Sequence, residues 1–441
     1  MDIKVMKFGG TSVGSPQRMK EVVKLISDDQ RKIVVLSAMS GTTNMLYEIS
    51  DYLHKKNPVG ANENINMLEE KYLQHVEELY STEEYKQITR QFLKQEFDYI
   101  RSFTKGLFTM FEEKIIVGQG EILSTNMVTN YLLENGYNAA LIPALEFMKT
   151  DKNNEPDVEY IREKIKIVLA EQPDKDIYIT QGFICRNAYG EVDNLQRGGS
   201  DYSASLIGAA IDANEIQIWT DIDGMHNNDP RYVENTQPVN SLNFEEASEL
   251  AYFGAKILHP TCVQPAKFAG IPVKLLNTMD PTAPGTVISN KTERGSIKAV
   301  AAKDNITAIN ITSSRMLLAY GFLRKVFEIF ETYKTSIDMV TTSEVGVSVS
   351  IDNTTNLSQI LNELKKLGTV SVDIDMCIIC VVGDLDWHNI GFESLATETM
   401  KDVPVRMISY GGSNHNISFL VAAADKKKAL QSLSNHLFNN K

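Results

Sequence analysis

The fold is decided by residues 3–37, which read IKVMKFGGTSVGSPQRMKEVVKLISDDQRKIVVLS. Two apolar runs, at 3–8 and 33–37, are typical of short buried strands. Between them, Ser15 is a suitable N-cap, and Pro16 stands at the first helical position, which proline favours. A strand, a glycine turn, a helix and a second strand together predict an α/β fold with a mainly parallel sheet.

The same alternation continues further along the chain. From about Asn62 to Phe111 the pattern is helical and amphipathic, and we interpret it as a helical insertion. The segment from Asn277 to Ser296 is rich in Pro, Gly, Thr and charge, so a domain boundary is expected there, after a first domain at 1–290. Further short strands are predicted at 140–142, 177–180, 216–220 and 273–276.

The tail contains a weak internal repeat with the order βαββαβ, a ferredoxin-like arrangement. The second copy ends before its last strand, and the run Ile297–Lys303 could supply that strand. The first copy, 304–375, would then be inserted in the second, which comprises 296–303 and 376–441. The first copy is predicted to have strands at 306–312, 336–342, 345–351 and 369–374 and helices at 321–334 and 357–367. The second is predicted to have strands at 376–382, 404–409 and 416–422 and helices at 391–400 and 426–438.

The composition narrows the class of protein. The net charge of -13 argues against a nucleic-acid or anionic-membrane partner. No apolar run is long enough to span a bilayer, and the start lacks the apolar core of a signal peptide. The four cysteines are scattered, which fits a reducing compartment. A cytoplasmic enzyme or sensor is therefore expected.

Two glycine loops could bind phosphate. Lys7 ends the first strand and precedes Gly9 and Gly10, which let backbone N–H groups approach an anion. A lone glycine pair is more often an ordinary strand-to-helix turn. A second loop, 197–201 (RGGSD), leads into another apolar helix, and this repetition favours phosphate binding.

Six motifs follow one another in order, and together they resemble those of the aspartokinases, a branch with the amino-acid kinase fold. They are KFGGTSV (7–13), SAMSGTTN (37–44), GQGEILS (118–124), RGGSDYSA (197–204), WTDIDGMHNNDPR (219–231) and FGAKILHP (253–260). The tail resembles the paired ACT domains of that family, nearest to its lysine-sensitive, single-function branch. It carries GFLRKVFEIF (321–330), SIDMVTTSE (336–344) and SYGGSNHNISFLV (409–421).

The resemblance implies transfer of the ATP γ-phosphoryl group to the β-carboxylate of L-aspartate, the first step toward lysine, threonine and methionine. That carboxylate has a pKa near ~4, so it needs no general base, and catalysis must consist of positioning and charge neutralisation. Lys7 would neutralise the phosphoryl group, and Asp201 would orient Lys7. Arg197 would clamp the α-carboxylate, and Glu121 would accept the α-ammonium.

The remaining ligands implied by the resemblance fall into two groups. The aspartate site would add Thr43, Gly198, Gly199, Ser200 and Asp201. The ATP site would comprise Lys7, Gly9, Gly10, Ser12, Thr220, Asp221, His226, Arg231 and Lys256. His226 stands where the family often has a tyrosine. Mg²⁺ is expected with ATP, but no protein ligand for it is identified.

The resemblance also places an effector site for lysine in the tail, between two chains of a homodimer or homotetramer. Its residues would be Met316, Ala319, Phe322, Leu323, Ile337, Asp338, Ser343 and Glu344. Asp338 and Glu344 would supply the negative charge that a cationic amino acid requires. Two other functions stay open: another amino-acid kinase, or an ACT-type amino-acid sensor without catalysis.

Overall fold

The computed structural model describes residues 3–195, 198–254, 259–316 and 320–438. The chain divides into two compact units, the first with residues 1–224 and 257–290 and the second with 225–256 and 291–441. The segment 225–256 therefore groups with the tail. The expected domain bounds remain a prediction.

The first unit alternates strands and helices, beginning with a helix that Ser15 caps by accepting a hydrogen bond from the N–H of Arg18. Its strands are β1 (Lys4–Phe8), β2 (Lys32–Leu36), β3 (Ala139–Leu141), β4 (Ile177–Gln181), β5 (Ile184–Arg186), β6 (Val192–Asn194), β7 (Ile216–Thr220), β9 (Val273–Asn277) and β10 (Thr286–Ser289). Strand β8 (Ser241–Asn243) belongs to the second unit. Its helices are α1 (Pro16–Ile26), α2 (Thr42–His54), α3 (Pro58–Leu79), α4 (Glu83–Ser102), α5 (Met110–Glu134), α6 (Val158–Glu171), α7 (Gly199–Ile211), and, after α8 of the second unit, α9 (Gln264–Ala269).

The main sheet of this unit has the strand order β3-β4-β2-β1-β7-β9-β10. Neighbouring strands from β3 to β9 are parallel, and β10 pairs antiparallel with β9. The prediction of a mainly parallel sheet is thus confirmed. Because parallel strands end at the same edge, the loops after β1, β2, β4 and β7 meet there, which is where such sheets bind ligands.

The predicted helical insertion is confirmed as α3 and α4, which pack on each other and on helices α1, α2 and α5. Tyr72 and Phe97 are fully buried there, with ring centroids 6.0 Å apart. Helix α2, which precedes the insertion, is absent from the prediction. Within the described residues, no helix combines the length and apolarity that a membrane span requires.

The second unit holds a six-stranded antiparallel sheet, in which two strands are long. The strands of the unit are β8 (Ser241–Asn243), which is outside this sheet, β11 (Ile297–Thr312), β12 (Met339–Thr342), β13 (Gly346–Ile351), β14 (Thr369–Gly383), β15 (Val405–Tyr410) and β16 (Asn416–Ala422). Its helices are α8 (Phe244–Tyr252), α10 (Phe322–Thr332), α11 (Leu357–Leu364), α12 (Phe392–Thr399) and α13 (Lys426–Leu437).

The six-stranded order is β12-β13-β11-β14-β16-β15, which is two ferredoxin-like copies joined side by side. The strands predicted separately at 297–303 and 306–312 form one strand, and so do those at 369–374 and 376–382. Asn305 and Asp375 adopt positive φ at these junctions, and the register shifts there. Residues 297–303 pair with the strand that opens the second copy, the arrangement that an insertion requires.

Candidate active site

The two glycine loops meet at the carboxyl edge of the parallel sheet. Lys7, near the end of β1, places its Nζ 2.6 Å from Oδ1 of Asp201, in the first turn of α7. The side chains are only 11% and 17% exposed, so the ion pair is partly shielded from water. Gly10 approaches the next loop so closely that an added Cβ would lie 2.8 Å from the carbonyl oxygen of Ala38.

The second loop is shaped by glycine as well. Gly198 caps α7 in the left-handed region, at φ +79°, and a Cβ there would lie 2.1 Å from the sulfur of Cys262. A side chain at 198 would therefore both strain the backbone and collide. The helix that the sequence predicts after this loop is confirmed, and its free N–H groups point toward the loop.

A cavity of about 340 Å³ lies between the loops after β1, β2 and β4 and the N-terminus of α7. This volume suits a small polar molecule. Its lining is Gly10, Ser37, Ala38, Met39, Ser40, Gly41, Thr43, Asn44, Glu121, Phe183, Gly199 and Ser200. The structure thus brings together Thr43, Glu121, Gly199 and Ser200 from the predicted substrate set.

Glu121 is the buried acid of this cavity. Its Oε1 accepts a hydrogen bond from the N–H of Ala38 at 3.1 Å, and its Oε2 has no hydrogen-bond partner within the described residues. Burial raises the pKa of Glu121 to about 8, while the Ala38 N–H and the charge of Lys7 act in the opposite direction. A cationic ligand group would satisfy Oε2 and favour the carboxylate form.

Hydroxyl groups connect the walls of the cavity. Ser37 donates to the hydroxyl of Ser200 at 2.9 Å, and Ser124 donates to the carbonyl of Ser37 at 2.8 Å. These bonds fix the loop after β2 against α5 and α7.

The sequence analysis missed Phe183, which lines the cavity at φ +68° and lies so close to Gly199 that a Cβ added there would be 2.8 Å from the phenyl ring. The N–H of Phe183 donates to the hydroxyl of Ser203 at 2.9 Å. Ser37, Ala38 and Asn44 were also missed as lining residues. Their position directly after buried strands or a glycine turn was a usable signal.

The predicted ATP residues of this unit lie at the same edge. Gly9 lies beside Lys7, where an added Cβ would be 3.6 Å from Nζ. Thr220 ends β7, next to β1, and its hydroxyl donates to Asp221 at 3.2 Å. Ser12 is fully buried, and its hydroxyl lies 2.8 Å from that of Thr278, so it braces the loop and does not open on the cavity.

Two further predicted ATP residues belong to the second unit. Nδ1 of His226 lies 2.9 Å from the hydroxyl of Thr236. Arg231 forms a bidentate ion pair with Asp229, at 2.6 Å for the shortest contact, and its side chain is exposed. Three other predicted residues, Arg197, Lys256 and Ala319, lie outside the described residues.

The described part of the chain contains no group of three or more His, Cys, Asp or Glu side chains that could hold a metal ion. Asp201, the acid nearest to Lys7, is engaged by that lysine. Among the described residues, no cluster could therefore hold a metal ion by protein groups alone.

The predicted effector residues gather in the first ferredoxin-like copy. Met316, Phe322 and Ile337 pack in one apolar cluster, and Leu323 is partly exposed on α10. Ser343 and Glu344 form the turn between β12 and β13, where the N–H of Ser343 donates to the carbonyl of Gly346.

Asp338 is buried, with its side chain 1% exposed. Its Oδ1 accepts hydrogen bonds from Nζ of Lys303 and from the hydroxyl of Tyr252, both at 2.7 Å. Its Oδ2 has no hydrogen-bond partner among the residues that the structure describes.

Two known protein families match parts of this chain. Residues 2–277 match the amino acid kinase family, and residues 379–437 match the ACT domain. The chain is 35% identical to aspartokinase 3, chloroplastic, of Arabidopsis thaliana, over 98% of this chain and 81% of that protein. It is 32% identical to lysine-sensitive aspartokinase 3 of Escherichia coli K12, over 99% of each chain.

Solved structures agree with the sequence matches. The chain is similar to E. coli aspartokinase III in complex with aspartate and ADP, described as the R-state, with a TM-score of 0.84 over 99% of this chain and 100% of that one. It is similar to the same enzyme in complex with lysine and aspartate, described as the T-state, with a TM-score of 0.82 over the same shares of both chains. Identity is 32% in both cases.

Proposed function

Since the chain belongs to the aspartokinases, within the amino acid kinase family, we propose that it phosphorylates the β-carboxylate of L-aspartate with ATP. The observation that carries the proposal is the Lys7–Asp201 ion pair beside a small polar cavity that contains Glu121. This set combines a cation for phosphate with an acid for an α-ammonium group.

The residues act by position and charge. An oxygen of the β-carboxylate attacks the γ-phosphorus, the bond from that phosphorus to the β,γ-bridging oxygen breaks, and ADP leaves with the electron pair. Lys7 stabilises the negative charge on the transferring group, and Asp201 keeps its ammonium in place. Because the nucleophile is already an anion, no residue has to remove a proton.

The cavity holds the amino acid by its two other charges. Glu121 takes the α-ammonium on its unpartnered Oε2, and Arg197 takes the α-carboxylate. Thr43 and Ser200 add neutral hydrogen bonds, and Phe183 closes one wall. We assign nucleotide binding to Gly9, Gly10, Thr220 and Asp221, which lie at one edge of the sheet. The resemblance of the motifs assigns the same role to His226, Arg231 and Lys256. Mg²⁺ accompanies the ATP phosphates and is held chiefly by them and by water.

Regulation belongs to the tail. Lysine binds at the first ACT copy, where the buried carboxylate of Asp338 offers an acceptor for its ammonium. The chains pair through the ACT domains, as a dimer or tetramer, and exposed apolar side chains such as Leu323 and Phe327 on α10 support this. We place the enzyme in the cytoplasm.

The test is an assay of ADP release with aspartate, glutamate and N-acetylglutamate as separate substrates, with hydroxylamine added to trap an acyl phosphate as a hydroxamate. We expect ADP release and hydroxamate with aspartate alone. Hydroxamate with another amino acid would assign a different kinase. ADP release with none of them would make the chain a sensor.

A further inference from the structure

Helix α8 ends against the strand β11 of the tail, and both elements belong to the second unit. Tyr252, the last residue of α8, donates its hydroxyl to Asp338 at 2.7 Å. Gly254 packs so closely on β11 that an added Cβ would lie 2.2 Å from the carbonyl oxygen of Ala302. Tyr252 and Gly254, the last part of this segment that the structure describes, are therefore held against Asp338 and against the strand from which Lys303 projects.

Lys303 joins two carboxylates, of which the Asp338 side chain is buried and the Asp352 side chain is exposed. Its Nζ lies 2.7 Å from Asp338 and 2.9 Å from Asp352, and it lies 4.3 Å from the centre of the Tyr252 ring. Burial disfavours the charged form of Lys303, but the hydrogen bonds with Asp338 and Asp352 outweigh this and raise its pKa. Burial, and then the hydrogen bond to Asp338, raise the pKa of Tyr252 to about 12, so its hydroxyl stays neutral.

The cluster offers an unpartnered acceptor to another cation. Two carboxylates and one ammonium leave one negative charge, and Oδ2 of the buried Asp338 has no hydrogen-bond partner in the described ranges. An uncompensated buried carboxylate oxygen favours a further ammonium group.

We propose that the hydroxyl of Tyr252 and the ammonium of Lys303 compete with the effector's ammonium for Asp338, and that this competition couples effector binding to the end of α8. The proposal rests on the proposed regulation by lysine. An effector that binds Asp338 weakens the Tyr252 bond and loosens the segment before Lys256. The Tyr252–Asp338 bond therefore stabilises the effector-free arrangement.

The proposed competition predicts that removing either competing group tightens lysine binding, whereas a purely structural role would not predict tighter binding. Tyr252→Phe retains the ring over Lys303 and its edge contact with Phe253, and removes only the hydroxyl. It should lower the calorimetric Kd for lysine, and the half-inhibitory lysine concentration, by about fivefold, the scale of one hydrogen bond. Lys303→Met removes the competing charge and should lower both by about tenfold.

The matched control is Tyr410→Phe. The hydroxyl of Tyr410 also donates a hydrogen bond, to the carbonyl of Leu385 at 3.3 Å, but in the second ACT copy. We expect its lysine affinity to equal that of the wild type, and we expect kcat without lysine to stay within about twofold of wild type for Tyr252→Phe.

Three outcomes are distinguishable. Tighter lysine binding by Tyr252→Phe and Lys303→Met, with Tyr410→Phe unchanged, supports the competition. Wild-type inhibition by lysine with unchanged or weaker binding in Tyr252→Phe and Lys303→Met overturns the competition alone. An active wild-type kinase that gives no heat with lysine overturns both the competition and the proposed effector, while the catalytic assignment stands.

Discussion

Two lysine–aspartate pairs of nearly equal length lie in different surroundings. Nζ of Lys7 is 2.6 Å from Asp201 in the first unit, and Nζ of Lys303 is 2.7 Å from Asp338 in the second. The first pair is partly exposed on both sides, beside an open cavity. The second has an Asp338 side chain that is only 1% exposed, and a tyrosine hydroxyl reaches the same oxygen.

The comparison shows that the length of an ion pair does not by itself indicate its role. Under the roles that we propose, the carboxylate of the first unit orients a cation that remains available to a phosphoryl group. In the second unit, the cation neutralises a buried carboxylate and holds it for exchange with another ammonium. The groups around each pair, and not its length, decide whether it serves catalysis or regulation.

The largest effect should come from breaking the catalytic pair. Lys7→Ala should lower kcat on the order of 10²- to 10³-fold, because one preorganised charge on the transferring group is lost. The control is Lys4→Ala, which removes another paired lysine from the same strand, bound to Asp28. Steady-state kinetics with aspartate and ATP measure both. Near-wild-type turnover of Lys7→Ala would refute its catalytic role.

Breaking the regulatory pair should weaken effector binding and not turnover. Asp338→Ala should raise the Kd for lysine by about 10- to 100-fold, the range for a lost hydrogen bond to a charged group. The matched control is Asp373→Ala, which removes a carboxylate paired with Arg406 at 2.8 Å on the surface of the same unit. Calorimetry that finds equal affinity in Asp338→Ala and wild type would exclude this site.

The proposed role of Glu121 predicts that KM for aspartate depends on pH. Below the pKa of about 8, Glu121 is protonated and must lose its proton before it accepts an ammonium. KM for aspartate should therefore fall by up to about tenfold between roughly pH 6.5 and 7.5. In Glu121→Gln, KM should be higher and nearly independent of pH. A wild-type KM that does not change with pH would contradict this role.

The raised pKa of Glu121 also predicts how the free energy of unfolding changes with pH. Its pKa is raised in the folded state from the ordinary 4.5, so the folded protein binds more protons between 4.5 and about 8. The free energy of unfolding should therefore fall as pH rises through that window. Denaturant unfolding of the wild type and Glu121→Gln at both ends of the window measures the difference, which should be smaller in the variant.

The smallest effect is expected for a surface pair of the same length. Nζ of Lys55, the C-cap of α2, lies 2.6 Å from Oδ2 of Asp51 in that helix, and both side chains are exposed. Lys55→Ala should leave kcat unchanged and shift the midpoint of thermal unfolding by no more than about 1–2 °C, since solvent screens such pairs. A loss comparable with that of Lys7→Ala would show that pair length matters more than surroundings.

Much of the fold follows from local patterns in the sequence. The strands at 3–8 and 216–220 and the helix that begins at Pro16 agree with the structure because burial and capping act over neighbouring residues. The long strands β11 and β14 were predicted as separate pieces. Polar residues such as those around Asn305 and Asp375 are typical of strand ends. In the structure, each strand continues past them through a register shift.

The proximity of Lys7 and Asp201 was predictable, because Lys7 precedes one glycine turn and Asp201 follows the other. Contacts between residues outside such motifs were not. Tyr252 meets Asp338 across 86 positions of sequence, and neither residue belongs to a local pattern that indicates the other. Phe183 was missed because an aromatic residue after a strand is usually core, and its positive φ is visible only in the structure.

The separate roles of the two pairs are tested most directly by the calorimetric Kd for lysine, measured on Lys7→Ala and on Lys303→Met. We expect a Kd within about twofold of wild type for Lys7→Ala, although its turnover is lost. For Lys303→Met we expect a Kd about tenfold lower than that of wild type. An unchanged Kd in Lys303→Met, or a large change in Lys7→Ala, would contradict these separate roles.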